Sequence, residues 1–230
     1  MHTEPDRGRA VVTGAGSGIG LATGRRLVRE GFSVTAIDRD EAGLDRAAAE
    51  GRTPLKADLA SLADWDKVVE AAQGSRCLVN AAGIIVLKPI LDVTIEDLEA
   101  AYASTRAAVL SLTRSFAYAF AAKNVRVNAV CPGIIDTPMQ DAVLAKVAAA
   151  SGIPVAELVD ARNATVPLKR AASAGECAAT FWFLLSPESS YITGQAIDEP
   201  HDVAICGFHT GCGLIIRRLK KKGPKKGPNR

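Results

Sequence analysis

The apolar positions of this chain fall into short runs that alternate with helical stripes. Residues 10–12 form a brief apolar run, and a glycine-rich turn follows it. From Gly20 to Gly31 apolar residues recur at helical spacing, with a glycine at the end. "FSVTAID" (32–38) reads as a second strand, 41–50 as a helix and "RTPLKADL" (52–59) as a third strand. Residues 61–73 read as a helix and "RCLVNAAG" (76–83) as a fourth strand. Strands that alternate with helices predict a parallel sheet, because each crossover helix must return the chain to the same edge and cover a face.

After Gly83 the pattern lapses into a loop. Thr94 then stands as an N-cap with Asp97 three residues on, and a helical pattern runs from Ile95 to about Lys123 without glycine or proline. "VRVNAVCPG" (125–133) is the next strand, followed by "IIDTPM". Residues 141–164 predict one or two helices broken near Gly152 and Pro154, residues 174–185 another helix, and "YITGQAID" (191–198) a last strand. Beyond Asp198 no period is visible, and the chain ends in Lys, Gly and Pro. No internal repeat occurs. The expectation is one α/β domain over 1–198, a doubly wound parallel sheet, with a disordered basic tail over 199–230.

Composition narrows the class. A chain of 230 residues can enclose one full core. The amino terminus has no apolar stretch, which argues against a secretory signal. No run of about 18 apolar residues suggests a spanning helix. The five cysteines are an odd number, mostly in apolar surroundings, and read as reduced thiols of a cytoplasmic protein. Residues 217–230 hold eight of the 28 basic residues and no acid, which leaves 20 basic against 25 acidic residues elsewhere. The positive total therefore comes from the tail, which reads as a solvated run; nucleic acid and membrane are not expected partners. Cys206, His209 and Cys212 are too loosely spaced for a metal site and lack a fourth ligand, so no metal is expected.

Chemistry enters at "TGAGSGIG" (13–20), which lies between a predicted strand and a predicted helix. Gly14 permits the tight turn. Gly18 and Gly20 let backbone and helix approach a pyrophosphate, whose charge suits a helix N-terminus. Asp38 closes the next strand, where a carboxylate can accept from ribose hydroxyls and would repel a 2′-phosphate. The turn holds no basic residue. These points favour NAD over NADP, against the pull of the adjacent Arg39.

These residues, with "ADL" at Asp58, "NAAG" (80–83), "YASTR" (102–106) and "VNAVCPGIIDTPM" (127–139), resemble the short-chain dehydrogenase/reductase family, classical type, from about Arg9 to Asp198. The resemblance implies a Rossmann-like fold and hydride transfer between nicotinamide and a secondary alcohol or ketone such as a sugar, polyol or small hydroxy acid. It implies a cofactor set of Gly14, Ser17, Gly18, Ile19, Gly20, Asp38, Arg39, Asp58, Leu59, Asn80, Ala81, Gly83, Pro132, Gly133, Ile135 and Thr137. Asp58 would approach adenine, "NAAG" would lie along the cofactor, and Pro132, Gly133, Ile135 and Thr137 would border the nicotinamide. Tyr102 matches the family's acid/base tyrosine. Arg106 stands where the family has a lysine one helical turn on. A free phenol titrates at about 10, and a nearby cation lowers that value. Arginine keeps the charge but does not release a proton.

The resemblance also implies a substrate-binding serine and a water-holding asparagine between "NAAG" and "YASTR". Only 18 residues separate Gly83 from Tyr102. A crossover helix, a further strand and their loops need about 25 residues or more. The end of one helix, a strand and the serine loop are therefore expected to be missing, with a sheet one strand short and a fused helix. Ser104, two residues from Tyr102, points to another side of a helix and is no substitute. Family homo-oligomers form through the altered regions, so an assembly is not assumed. An internal deletion with a terminal frameshift would account for both departures, and a non-catalytic nucleotide-binding remnant is the alternative function.

Overall fold

The structure, a computed structural model, describes residues 7–85, 102–200 and 213–218, with 102–106 described by backbone alone. Seven strands form one mixed sheet: β1 (Arg9–Thr13), β2 (Ser33–Asp38), β3 (Thr53–Lys56), β4 (Cys77–Asn80), β5 (Val125–Cys131), β8 (Ala196–Asp198) and β9 (Gly213–Arg218). Their order is β3-β2-β1-β4-β9-β5-β8. A separate two-stranded ribbon pairs β6 (Ile135–Asp136) with β7 (Ala172–Ser173). The helices are α1 (Gly18–Arg29), α2 (Glu41–Ala49), α3 (Trp65–Ala72), α4 (Tyr102–Phe120), α5 (Pro138–Ser151), α6 (Val155–Thr165) and α7 (Ala174–Leu185).

The sheet is buried on both faces, which explains its continuous apolar runs. Ala10, Val12, Val34, Ala36, Val79 and Val130 face one core cluster with Leu27 of α1 and Phe181, Leu184 and Leu185 of α7. Val11 and Ile37 point the other way with Val68 of α3, and Val127 lies against Ala117 of α4. α7 starts from a capping box, in which Ser173 and Glu176 satisfy each other's backbone N–H groups. The segment predicted as one or two helices is two. They bend by 116° at the Gly152–Pro154 break, where Gly152 takes φ 73°. Among the described residues no single helix is long and apolar enough to cross a membrane.

Two expectations are corrected. The sheet is not wholly parallel and not one strand short. The interval between β4 and β5, where a strand was expected to be missing, holds β9. β9 runs antiparallel to both neighbours, with Cys77 opposite Arg217 on one side and Val125 opposite Arg218 on the other. Within the stretch read as the basic tail, residues 213–218 are a central strand. The reason is exposure of two edges. Without an occupant, β4 and β5 would each present an unpaired ladder in the middle of a core. "GLII" can fill it: Leu214 and Ile216 turn to the α4 side while Ile215, 1% exposed, joins the core on the α1–α7 side. Gly213 is needed here, because a Cβ would come within 2.5 Å of the Phe181 ring.

The fit has a fault. Arg217 lies directly opposite Arg126, and both are buried. Arg126 donates to the carbonyls of Leu184 (2.7 Å) and Ile192 (3.0 Å), but among the described residues the Nε and Nη1 of Arg217 have no hydrogen-bond partner. Burial and the neighbouring Arg217 cation push Arg126 down to about 10. Burial lowers Arg217 as well.

The fused helix is described from Tyr102 to Phe120 and continues as a 3-10 turn over Ala121–Lys123. The expected start near Ile95 lies outside the described residues, as do Cys206, His209 and Cys212.

Candidate functional site

The strand ends bring the glycine turn, Asp38, Asp58 and the "NAAG" segment to one edge of the sheet. β1, β2, β3 and β4 are parallel in register, so Thr13, Asp38, Lys56 and Asn80 finish together. This is where open α/β sheets bind ligands.

Gly14 has φ 67° and Gly18 φ 49°, both in the left-handed region where a side chain is strained. A Cβ on Gly14 would meet the Ala82 backbone at 2.7 Å, and one on Gly20 would run into the Gly14 carbonyl. The turn is thus closed on its protein side by backbone. Ala15 N donates to the Ile37 carbonyl (3.1 Å), which ties the turn to β2. Ser17 precedes α1 in an extended conformation and its side chain makes no cap bond, while the first turn of α1 holds no acid. The N-terminal N–H groups of α1 are left to a ligand or solvent.

Asp38 is fixed at both oxygens. Oδ2 accepts from Gly16 N at 2.8 Å and Oδ1 from Asp40 N at 3.0 Å. Each oxygen keeps a further lone pair. Arg39 beside it is exposed. Asp58 caps its own turn, accepting from Ala60 N (3.0 Å), while Asp58 N donates to Asp64 (2.7 Å); Leu59 packs with Val11, Ile37 and Val68. Asn80 ends β4 opposite Leu214, Ala81 packs on the core, and Gly83 is exposed.

The second half reaches the same edge through the end of β5. Pro132 and Ile135 are buried, and Gly133 is covered by the Pro200 carbonyl, which leaves no room for a side chain. Thr137, at the N-cap of α5, lies against the glycine turn: a Cβ on Gly18 would be 3.2 Å from its methyl. The two motifs farthest apart in sequence thus meet. Tyr102 and Arg106 fall in the first turns of α4, four residues apart, and their side chains lie outside the described residues.

The sequence reading missed four residues that build this edge. Thr13 is buried and its hydroxyl accepts from Ala82 N (3.2 Å). Gly16 supplies the N–H to Asp38. Arg46 donates to the Gly16 carbonyl (3.1 Å). Gly43 lets α2 approach: a Cβ there would lie 2.6 Å from Gly16. Its signal was available, because a glycine inside a helix is unfavourable and calls for a packing reason. Cys77, Cys131 and Cys177 are buried, none of them in a disulfide, and burial pushes Cys77 up to about 11, so it is no nucleophile.

Comparison with known proteins agrees with this layout. Residues 9–101 match the family described as short chain dehydrogenase, and residues 98–198 the one described as enoyl-(acyl carrier protein) reductase. The two matches overlap at 98–101, inside the interval that reads as cut. L-2,3-butanediol dehydrogenase of Corynebacterium glutamicum is 28% identical over 245 aligned positions, covering 82% of this chain and 95% of that protein. Those positions outnumber the residues that 82% of a 230-residue chain supplies, so the match crosses a gap in this chain. Cis-4-hydroxycyclohexanecarboxylate dehydrogenase of Sinomonas cyclohexanicum is 32% identical, with 82% and 93% covered. Among solved structures, a variant actinorhodin polyketide ketoreductase with NADPH superimposes with a TM-score of 0.75 at 27% identity, covering 86% of this chain and 97% of the other. A glycine turn closed by backbone, its partner segment at Thr137 and these full-length relatives lead to one assignment: the chain belongs to the short-chain dehydrogenase/reductase family, oxidoreductases that bind a nicotinamide cofactor.

Proposed function

We propose that the chain is an NAD(H)-dependent oxidoreductase that interconverts a secondary alcohol and its ketone. The observation that carries the cofactor preference is Asp38, held at the mouth of the glycine turn by two backbone N–H groups. Its spare lone pairs suit ribose hydroxyls, and its charge opposes a 2′-phosphate. Gly14, Ser17, Gly18, Ile19 and Gly20 would take the pyrophosphate at the α1 N-terminus. Arg39, Asp58 and Leu59 would line the adenosine end, and Asn80, Ala81, Gly83, Pro132, Gly133, Ile135 and Thr137 the nicotinamide end. The turn fits such a group: Gly14 and Gly18 hold left-handed φ of 67° and 49°, and a Cβ at Gly14 or Gly20 would strike backbone and force this turn at the α1 N-terminus open. When bound, the nicotinamide supplies hydride chemistry.

Tyr102 would hold the exchanging proton at its phenol oxygen. Arg106, one turn along α4, would favour the phenolate. It cannot pass the proton on through its own side chain. No serine stands between Gly83 and Tyr102, and loss of such a donor costs about 10²–10³ in rate, so slow turnover is expected. The relatives' diol and hydroxy-acid substrates support a small hydroxyl compound, in the class of polyols, sugars and hydroxy acids.

The test pairs binding with turnover. NADH should quench intrinsic fluorescence at lower concentration than NADPH, and Asp38→Ala should shrink that difference. Tyr102→Phe should lower kcat by about 10²–10⁴ on butane-2,3-diol or a hydroxy acid while leaving NADH affinity intact. A preference for NADPH refutes the cofactor assignment. Turnover unchanged by Tyr102→Phe refutes the acid/base assignment.

A further inference from the structure

Opposite the glycine turn, at the other end of β5, the chain builds a second concavity. α4 ends at Phe120, a 3-10 turn follows, and Asn124 takes the left-handed conformation (φ 56°) before β5 begins at Val125. β9 finishes beside it, with Arg218 opposite Val125. Between the turn and the strand end lies a pocket of about 580 Å³, within the range of sites that hold small molecules.

Its walls have two characters. Phe120, Val125 and Ile216 are half-buried and continue the cluster around Val127, and the Phe120 ring lies 5.7 Å from that of Phe116. Lys123 and Arg218 are exposed and supply two positive charges, and among the described residues no carboxylate lines the pocket. Lys123 Nζ stands 5.7 Å from the Phe120 ring centroid, over the apolar wall. Among the described residues neither cation is in an ion pair.

An occupant must satisfy both walls. A neutral apolar molecule leaves the two cations uncompensated. A small hydrophilic anion leaves the phenyl and aliphatic wall wet. A molecule with an apolar body and one anionic head removes apolar area from water and sets its charge between Lys123 and Arg218. Cys131, at the cofactor edge, is six residues along β5 from Val125, about 20 Å, so the pocket is separate from the candidate site. We propose that this pocket binds an amphipathic monoanion, an aryl or medium-chain alkyl carboxylate.

Octanoate is the probe, with octanol as its neutral counterpart, titrated calorimetrically into the full chain. Octanoate should bind several-fold more tightly than octanol, and more weakly as salt rises. Lys123→Ala with Arg218→Ala should weaken octanoate by about four- to twenty-fivefold, two- to fivefold for each exposed cation, with little change for octanol. Ala122→Trp, at an exposed pocket position, should fill the space and abolish binding of both. Urea midpoints of the variants should match the parent, which separates loss of the pocket from loss of the fold. Absence of octanoate binding overturns the proposal. So does binding that both Ala122→Trp and the double variant leave intact.

Discussion

Replacing Ile215 by alanine asks whether β9 belongs to the core. Its side chain is 1% exposed and packs with Val79, Val130, Phe181 and Leu184. In register it stands between Val79 of β4 and Asn128 of β5, so the space cannot close by moving an edge strand. Truncating a buried isoleucine to alanine costs about 2–5 kcal/mol, more where the surroundings cannot collapse. A central strand bonded on both sides belongs in the upper half of that range. Domains are stable by about 5–15 kcal/mol, so the variant would lose a large share of its stability. With a urea slope of about 2 kcal/mol/M, the unfolding midpoint should fall by about 2 M. Arg218→Ala, at the exposed end of the same strand, is the control and should stay within about 0.5 kcal/mol of the parent. If Ile215→Ala unfolds at the parental urea concentration, residues 213–218 are not in the sheet, and the account of how the shortened chain closes its core fails.

Arg217→Leu should raise stability by about 1–3 kcal/mol, because it removes a buried, incompletely bonded cation facing Arg126; a lower urea midpoint would show that the guanidinium finds partners in solution. Glu50, bonded to Arg25 and Arg52, and Glu176, bonded to Arg170 and the Ser173 N–H, are each held down to about 2. Their folded values lie below the unfolded one, so their contribution is complete above about pH 4.5 and is lost as pH falls towards 2. Glu50→Gln with Glu176→Gln should therefore flatten the fall of the urea midpoint between pH 4.5 and 2.5, modestly since both pairs are solvent-screened; an unchanged slope contradicts the pairing. Gly213→Ala should destabilise by about 1–3 kcal/mol through overpacking against Phe181, measured by thermal unfolding. Arg106→Lys should raise turnover by restoring a side chain able to exchange a proton, and equal or lower kcat argues against a relay at that position.

The first four strands and their helices were legible because each carries a pattern fixed by local chemistry. Ala10–Val12 is a buried run, Asp38 ends the next run, and glycines punctuate the turns between. The apolar period bounds α7 at 174–185, and the structure gives the reason it starts there: a capping box of Ser173 and Glu176. β9 was not legible, and the reason is physical. Its three apolar residues are followed by a basic, low-complexity run, and nothing local in "GLIIRR" distinguishes a central strand from an extended tail. What holds it is a pair of unpaired ladders more than eighty residues upstream, a non-local demand invisible to periodicity. Gly43 is an intermediate case. Its presence inside a helix was legible, but its partner, the Gly16 backbone, appears only when α2 folds over the turn.

The direction of β9 separates what the strand repairs from what it leaves undone. A parallel strand between β4 and β5 would run towards the carboxyl edge, and the loop after it would emerge beside the glycine turn. That is where a chain delivers catalytic groups in this architecture. β9 runs the other way. Gly213 lies at that edge, beside Val130, and Arg218 leaves at the opposite one, beside Val125. The strand therefore satisfies the β4 and β5 ladders and fills the core with Leu214, Ile215 and Ile216, yet its last residue, Arg218, stands about 17–20 Å from the edge where Gly213 lies. Hydrogen bonding and packing are indifferent to that reversal, since either direction can satisfy a ladder. Catalysis is not. The parallel strands that hold the glycine turn keep their order and register beside β9, while a serine donor of the kind the proposed reaction calls for is not supplied by residues 213–218, whose sequence holds none.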